Sequence, residues 1–140
     1  MSKSKKLIIY TDGGARGNPG PAAIGAVIYD EAKNKLAEIS EFIGHATNNQ
    51  AEYQAVLAAI KKAKALGAEE IEFYLDSELA ANQLAGNFKI KSKGLASLFV
   101  QVYNQTLNFK KVNFHYIPRE QNKEADRLVN QALNLNIHTS

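Results

Sequence analysis

The chain has 140 residues, 45% of them hydrophobic, which is enough apolar surface to bury the core of one compact domain. It has no cysteine, which excludes a disulfide scaffold and a thiolate metal site. It also lacks an apolar run of about 18 residues and a signal-peptide core, so we expect a cytoplasmic monomer that contacts no membrane. The net charge of +3 is mild, and many soluble proteins with lysine-rich helices share it.

Three short strands rich in β-branched and aromatic residues begin the chain. They cover Lys6–Thr11, Ile24–Tyr29 and Leu36–Ile43, with Gly/Pro or charged turn segments between them, which predicts an antiparallel meander. A helical period follows over Ala51–Leu66, because its apolar side chains recur on one face. Gly67 then ends the helix.

The second half of the chain alternates strands and helices. The pattern predicts a strand at Ile71–Leu75, a short helix from about Glu78 to Leu84, a helix with an apolar stripe from Leu95 to Thr106, a strand at Val112–Ile117 and a last helix containing Ala125, Leu128, Val129 and Ala132. Strands separated by helices run parallel, through right-handed crossovers. The predicted fold class is therefore α/β, with a mixed sheet that is antiparallel at one side and parallel at the other.

Two aspartates follow apolar strands directly. Asp12 comes after L-I-I-Y-T and Asp76 after E-F-Y-L, and open α/β sheets bind ligands at this carboxyl edge. If the two strands are parallel neighbours, their ends lie about 5 Å apart, so both carboxylates could share a cation. Either residue could instead be a turn former or a helix cap.

Two further acids fall on helices. Glu52 lies on the inward stripe of the first long helix, four residues before Val56, and a carboxylate on a buried stripe needs a partner. Asp126 lies near the start of the last helix, at the border of its apolar face. Spacing alone leaves open whether these acids form one site.

A shared site of this composition would bind hard cations. Carboxylate oxygens favour Mg²⁺ or Mn²⁺ over Zn²⁺, and two such ions about 4 Å apart can activate a water and stabilise the leaving oxygen at a phosphodiester. When the four acids are set aside, ten acidic residues face 17 basic ones. A basic surface around an acidic site suits a polyanionic substrate.

Four motifs, one around each acid, are spread over nearly the whole chain. They read Y-T-D-G-G-A-R-G-N-P-G-P (Tyr10–Pro21), T-N-N-Q-A-E (Thr47–Glu52), L-D-S (Leu75–Ser77) and P-R-E-Q-N-K-E-A-D-R-L (Pro118–Leu128). In content and order they resemble ribonuclease H type 1, whose members carry one acid of a D-E-D-D set in each motif.

The resemblance implies one domain over residues 1–140, with a five-stranded mixed sheet, helices on both faces and no basic protrusion. It implies endonucleolytic cleavage of the RNA strand of an RNA/DNA hybrid, leaving 5′-phosphate and 3′-hydroxyl ends. The cofactor would be Mg²⁺, with Mn²⁺ as the alternative, and two ions would be bound together with the substrate. We expect the tail from about residue 135 to 140 to fray.

The resemblance also implies substrate contacts. Gly13, Asn18, Asn48 and Asn49 match positions that contact the minor groove, and Thr47 matches a contact to a DNA phosphate. Amides can bind the 2′-hydroxyls and base edges of a wide, shallow minor groove. The asparagines could equally serve as a helix cap and a turn.

Three departures from the family pattern affect the surroundings of the acids. Many family members carry a histidine for product release in the loop before the last aspartate, and this loop has none. Our hypothesis is that Arg119 takes over that role through a phosphate contact. Glu78 places a negative charge where some members have an amide. The long basic protrusion is absent, and Lys89, Lys91 and Lys93 replace part of it or belong to an ordinary solvated loop. Hybrid binding should therefore depend strongly on salt.

Three other functions stay open at this point. The same fold serves enzymes that act on double-stranded RNA or DNA, although these seldom combine N-P-G-P with T-N-N. A non-catalytic hybrid-binding module would normally lose one of the acids, and all four are present. A phosphatase using Asp12 as nucleophile would not require Glu52 or Asp126.

Overall fold

The computed structural model describes residues 5–86 and 93–139, with side chains described as far as Asn136. Its elements are β1 (Lys6–Ala15), β2 (Gly20–Asp30), β3 (Lys35–Ala46), α1 (Asn48–Ala65), β4 (Glu70–Leu75), α2 (Glu78–Leu84), α3 (Lys93–Thr106), β5 (Lys111–Tyr116), a 3-10 turn (Arg119–Gln121) and α4 (Lys123–Thr139). The predicted order of strands and helices is confirmed. The first three strands are longer than predicted, and α1 begins at Asn48 rather than at Ala51.

The five strands form one mixed sheet in the order β3-β2-β1-β4-β5. The β1–β2 and β2–β3 pairs are antiparallel, whereas β4 runs parallel to both β1 and β5. The predicted fold class is confirmed. Pairing between β1 and β4 ends at Thr11 and Leu75, but β1 continues to Ala15 along β2. The parallel pairing of β1 with β4 therefore ends directly before Asp12.

Helices cover both faces of the sheet. A Cβ atom on Gly13 would meet the backbone of Ala51 in α1, whereas one on Gly14 would come nearest to Val129 in α4. Because successive residues of a strand point to opposite faces, α1 and α4 lie on opposite sides. The main core forms between the sheet, α1 and α3, and includes Tyr53 and other fully buried side chains.

The C-terminal helix runs on to Thr139, through most of the segment for which the sequence predicts fraying. Its first half packs on β2, and the small cluster of Ala23, Val129, Ala132 and Leu133 fills this second interface. None of the helices in the described ranges is both long enough and apolar enough for a membrane span.

Candidate active site

The two strand aspartates lie side by side because of the sheet register. Thr11 pairs with Leu75, so Asp12 and Asp76 are the next residues on neighbouring parallel strands. The expectation that Asp12 follows the end of a strand is wrong, because β1 continues to Ala15 along β2. The D-G-G sequence looks like a turn, but the structure keeps it extended within the sheet.

The first helix brings Glu52 to the strand aspartates. A Cβ atom on Gly13 would lie 2.3 Å from the carbonyl carbon of Ala51, so only glycine allows α1 to approach β1 this closely. The backbone N–H of Gly13 donates hydrogen bonds to Glu52 Oε1 and to Asp12 Oδ1, each 3.0 Å long. Glu52 is 6% exposed and lies on the buried face of α1, as the sequence predicts.

The last helix approaches from the opposite face of the sheet. Gly25 is the β2 partner of Asp12, and a Cβ atom there would lie 2.4 Å from the carbonyl oxygen of Ala125. This close contact brings the first turn of α4 over the sheet. Asp126 is therefore carried into the cavity that the other acids line.

The four acids line one open cavity of about 480 Å³, and two of them are buried. Oxygen atoms of Asp12, Glu52 and Asp76 all lie within 4.8 Å of one another. Asp126 lies outside this tight group but close enough to raise the pKa of Asp12 by charge repulsion. The structure thus brings together all four acids singled out in the sequence.

Burial makes the ionised form of these acids costly. Mainly through burial, with smaller contributions from Asp76 and Asp126, the pKa of Asp12 rises from 3.8 to about 7. Burial and then the charge of Asp12 raise the pKa of Glu52 well above its usual value. Burial also raises the pKa of Asp76, and the Asn122 hydrogen bond opposes this rise.

One oxygen of the cluster has no hydrogen-bond partner among the described residues. Glu52 Oε2 is fully buried and accepts no hydrogen bond within the described part of the chain, although buried polar atoms are nearly always paired. A divalent cation would supply the missing partner and offset the repulsion among the carboxylates. Clustered oxygen donors and an orphaned Glu52 oxygen therefore fit a hard cation such as Mg²⁺.

Asparagine side chains border the acidic cavity. Asn48 donates its backbone N–H to Asn18 Oδ1 at 3.0 Å, and its own Oδ1 accepts from the Ala15 N–H at 2.8 Å. Thr47 is the N-cap of α1, in a capping box with Gln50. Asn18, Asn48 and Asn49 are exposed. Together with Thr47 they line a second cavity of about 500 Å³ beside the acids.

Comparison with known proteins identifies the family of this fold and site. The model of the reverse transcriptase-like family matches residues 10–132. RNase H1 of Halobacterium salinarum superposes with a TM-score of 0.90 at 39% identity, over 92% of this chain and 98% of that one. The chain belongs to the ribonuclease H type 1 family.

Two further ribonuclease H relatives bear on the extent of the match. The bifunctional protein Rv2228c of Mycobacterium tuberculosis is 43% identical over 129 residues, which cover 91% of this chain and 35% of that protein. This chain therefore spans about a third of that relative's length. LC11-RNase H1, solved in complex with an RNA/DNA hybrid, superposes with a TM-score of 0.90 at 43% identity, over 94% of this chain and 99% of that one.

The positions where this chain departs from the family pattern also have places in the structure. Arg119 lines the acidic cavity, and its positive charge opposes the rise in the pKa of Asp76 that burial causes. Glu78 is exposed in the first turn of α2. Lys93 is exposed at the start of α3, whereas Lys89 and Lys91 lie outside the described residues.

Two polar residues of the chain have contacts that the sequence does not reveal. His115, a half-buried residue of β5, pairs with Glu72 at 2.5 Å and stacks on Tyr74. Asn122 donates a hydrogen bond to Asp76, a role that sequence reasoning missed. An asparagine directly before a helix is typical of an N-cap, and that pattern concealed its contact with the acids.

Proposed function

We propose that this chain hydrolyses the RNA strand of RNA/DNA hybrids, with divalent ions held by Asp12, Glu52, Asp76 and Asp126. The observation that carries the proposal is the tight group of three carboxylates, within 4.8 Å of one another, in which one buried glutamate oxygen has no hydrogen-bond partner in the part of the chain that the structure describes. Such an arrangement destabilises the folded protein unless cations neutralise it. Acids held together at this cost are typical of a catalytic metal site.

The exposed asparagines support a duplex that contains RNA. Asn48 and Asn49 line the acidic cavity and, together with Asn18, the cavity beside it. The amides of all three can both donate to and accept from a 2′-hydroxyl. The relative LC11-RNase H1 was solved with an RNA/DNA hybrid. We infer the same substrate class for this chain.

The residues of the chain have separate roles in the proposed reaction. Asp12, Glu52, Asp76 and Asp126 would hold two Mg²⁺ ions, or Mn²⁺ in their place. When bound, such ions make water more acidic and stabilise the charge that develops on the phosphate.

The protein scaffold fixes the orientation of these groups. The Gly13 N–H holds Glu52 Oε1, and the sheet register holds the two strand aspartates side by side. Arg119, in the same cavity, supplies a positive charge for the phosphate of the departing product. Cleavage would leave a 5′-phosphate and a 3′-hydroxyl.

A substrate panel tests this function. Wild-type protein and Asp76→Asn are each incubated in Mg²⁺, and in parallel in Mn²⁺, with an RNA/DNA hybrid, double-stranded RNA, double-stranded DNA and a small phosphate ester. Glu41→Gln, which neutralises an exposed carboxylate on β3, is the matched control.

The expected result is cleavage of the hybrid by wild type and Glu41→Gln, and none by Asp76→Asn. An intact hybrid with wild-type protein would refute the proposal. If the hybrid is bound but not cleaved, the chain is a binding module, whereas hydrolysis of the ester alone would indicate phosphatase chemistry.

A further inference from the structure

Asn122 connects the separate segments that carry the acids. Its side-chain Nδ2 donates to the carbonyl oxygen of Thr11 at 2.8 Å and to Asp76 Oδ2 at 2.9 Å. Its backbone oxygen accepts from the Asp126 N–H, and its own N–H donates to the carbonyl oxygen of Arg119. One buried residue, 1% exposed, therefore contacts β1 next to Asp12, the Asp76 carboxylate, the first turn of α4 and the loop with the arginine.

The contacts of Asn122 differ from those of an ordinary helix cap. It directly precedes α4, where the side-chain oxygen of an asparagine normally accepts a hydrogen bond from the first turn. Here Oδ1 is buried without any partner in the described part of the chain. The side chain thus forgoes a stabilising cap and leaves an acceptor unpaired, while both hydrogens of its Nδ2 are used at the site. Local rules are most often broken in this way at functional sites.

The chemistry of the two contacts requires an amide in one orientation. Both partners of Nδ2, the Thr11 carbonyl and the Asp76 carboxylate, are acceptors. A flipped amide would place an oxygen against two oxygens, so the orientation is fixed by its surroundings. A carboxylate at position 122 would face Asp76 with a like charge.

We propose that Asn122 is a positioning residue, which fixes the Asp76 carboxylate for cation binding and holds it in register with Asp12 and Asp126. This inference rests on the proposed function. In this role Asn122 does not touch the metal ion but donates a hydrogen bond that orients a metal-binding carboxylate. Loss of such a hydrogen bond commonly lowers metal affinity or activity about 10- to 100-fold.

The test compares Asn122→Asp and Asn122→Ala with wild type and with Gln121→Ala. Gln121 is the exposed neighbour of Asn122 in the 3-10 turn, so its substitution controls for disturbance of the loop. Mn²⁺ affinity is measured by calorimetry without substrate. The Mg²⁺ concentration for half-maximal hybrid cleavage, the kcat and the KM for the hybrid are measured in parallel, after thermal unfolding has shown that each variant is folded.

Both Asn122 variants should bind Mn²⁺ about 10- to 100-fold more weakly and should need correspondingly more Mg²⁺. Their kcat should fall while the KM for the hybrid stays within about twofold, because Asn122 is buried and lines neither the acidic cavity nor the cavity that the asparagines border. Gln121→Ala should match wild type. Lower thermal stability with wild-type Mn²⁺ affinity and Mg²⁺ requirement would mean a merely structural role, and would overturn the inference.

A measurement on the wild-type protein tests the inference even if the Asn122 variants do not fold. The two Nδ2 hydrogens of Asn122 should exchange slowly with solvent, and their NMR signals should move when Mg²⁺ is added. Rapid exchange, or signals that Mg²⁺ leaves in place, would overturn the inference. Failure of the proposed function would appear differently, as wild-type protein that neither binds Mn²⁺ nor cleaves the hybrid.

Discussion

Neutralising Asp12 should stabilise the metal-free protein at neutral and alkaline pH. The pKa of its carboxyl rises from 3.8 to about 7 in the folded state, first because the group is buried and then because of Asp76 and Asp126. At about 1.4 kcal/mol per pH unit, ionised Asp12 lowers the free energy of unfolding by about 4 kcal/mol. Asp12→Asn removes this cost and keeps an oxygen that can accept the Gly13 N–H.

The sign of the pH dependence follows from linkage. Between pH 4 and 7 the folded protein binds more protons at Asp12 than the unfolded chain does, so wild-type stability falls as the pH rises. The advantage of Asp12→Asn should therefore be small near pH 4, grow up to about pH 7 and stay constant above it. Urea unfolding in EDTA between pH 4 and 8 measures the difference in unfolding free energy between Asp12→Asn and wild type. Added Mg²⁺ should make this difference smaller, because it stabilises the wild-type protein.

A second aspartate provides a matched control with the opposite sign. The Asp30 carboxylate accepts hydrogen bonds from the backbone and side chain of Asn34, which lower its pKa. This stabilisation is present above the usual pKa and is lost as the pH falls, so Asp30→Asn should lose stability at neutral pH. If Asp12→Asn gave no gain at pH 8, or the same gain at pH 4 and pH 8, the account of the buried cluster would be refuted.

Three further predictions test the surroundings of the acids. Gly13→Ala places a Cβ atom 2.3 Å from the Ala51 backbone and should lower the free energy of unfolding, measured in urea, by about 2 kcal/mol or more. Gly14→Ala, whose Cβ atom would lie 3.8 Å from Val129, should lower it far less. Equal losses of stability would contradict the argument that Gly13 allows the close approach of α1. Arg119→Ala should lower turnover of the hybrid about tenfold with calorimetric Mn²⁺ affinity unchanged, and wild-type turnover would rule out its release role. Glu78→Gln should tighten hybrid binding up to about fivefold at low salt and not at high salt; equal affinities at low salt would place Glu78 away from the phosphates.

The sequence predicts most of the sheet and the place of the two strand aspartates. Asp12 and Asp76 each follow an apolar run of the sequence, and parallel pairing leaves few alternatives for where such residues meet. Glu52 was predictable because a carboxylate on an apolar helical stripe must find a partner. These inferences succeed because burial makes apolar residues recur at regular intervals along the sequence, and this periodicity is visible without the structure.

Contacts between distant backbones could not be predicted in the same way. Gly13 belongs to a D-G-G sequence that is typical of a turn, yet it lies within β1 and lets α1 approach the strand closely. Asn122 matched a helix cap, and only the tertiary structure reveals that its amide is directed to Asp76 instead. In both cases one residue type suits two roles, and the neighbour that decides between them is far away in the sequence.

The most direct test of the central claim is strand-resolved cleavage of an RNA/DNA hybrid. Each strand is labelled separately, Mg²⁺ is added to the metal-free protein, and the ends of every fragment are analysed. The account predicts cuts in the RNA strand alone, with 5′-phosphate and 3′-hydroxyl ends, and none in EDTA or with Asp76→Asn. Cuts in the DNA strand, cyclic phosphate ends or cleavage that persists in EDTA would contradict it.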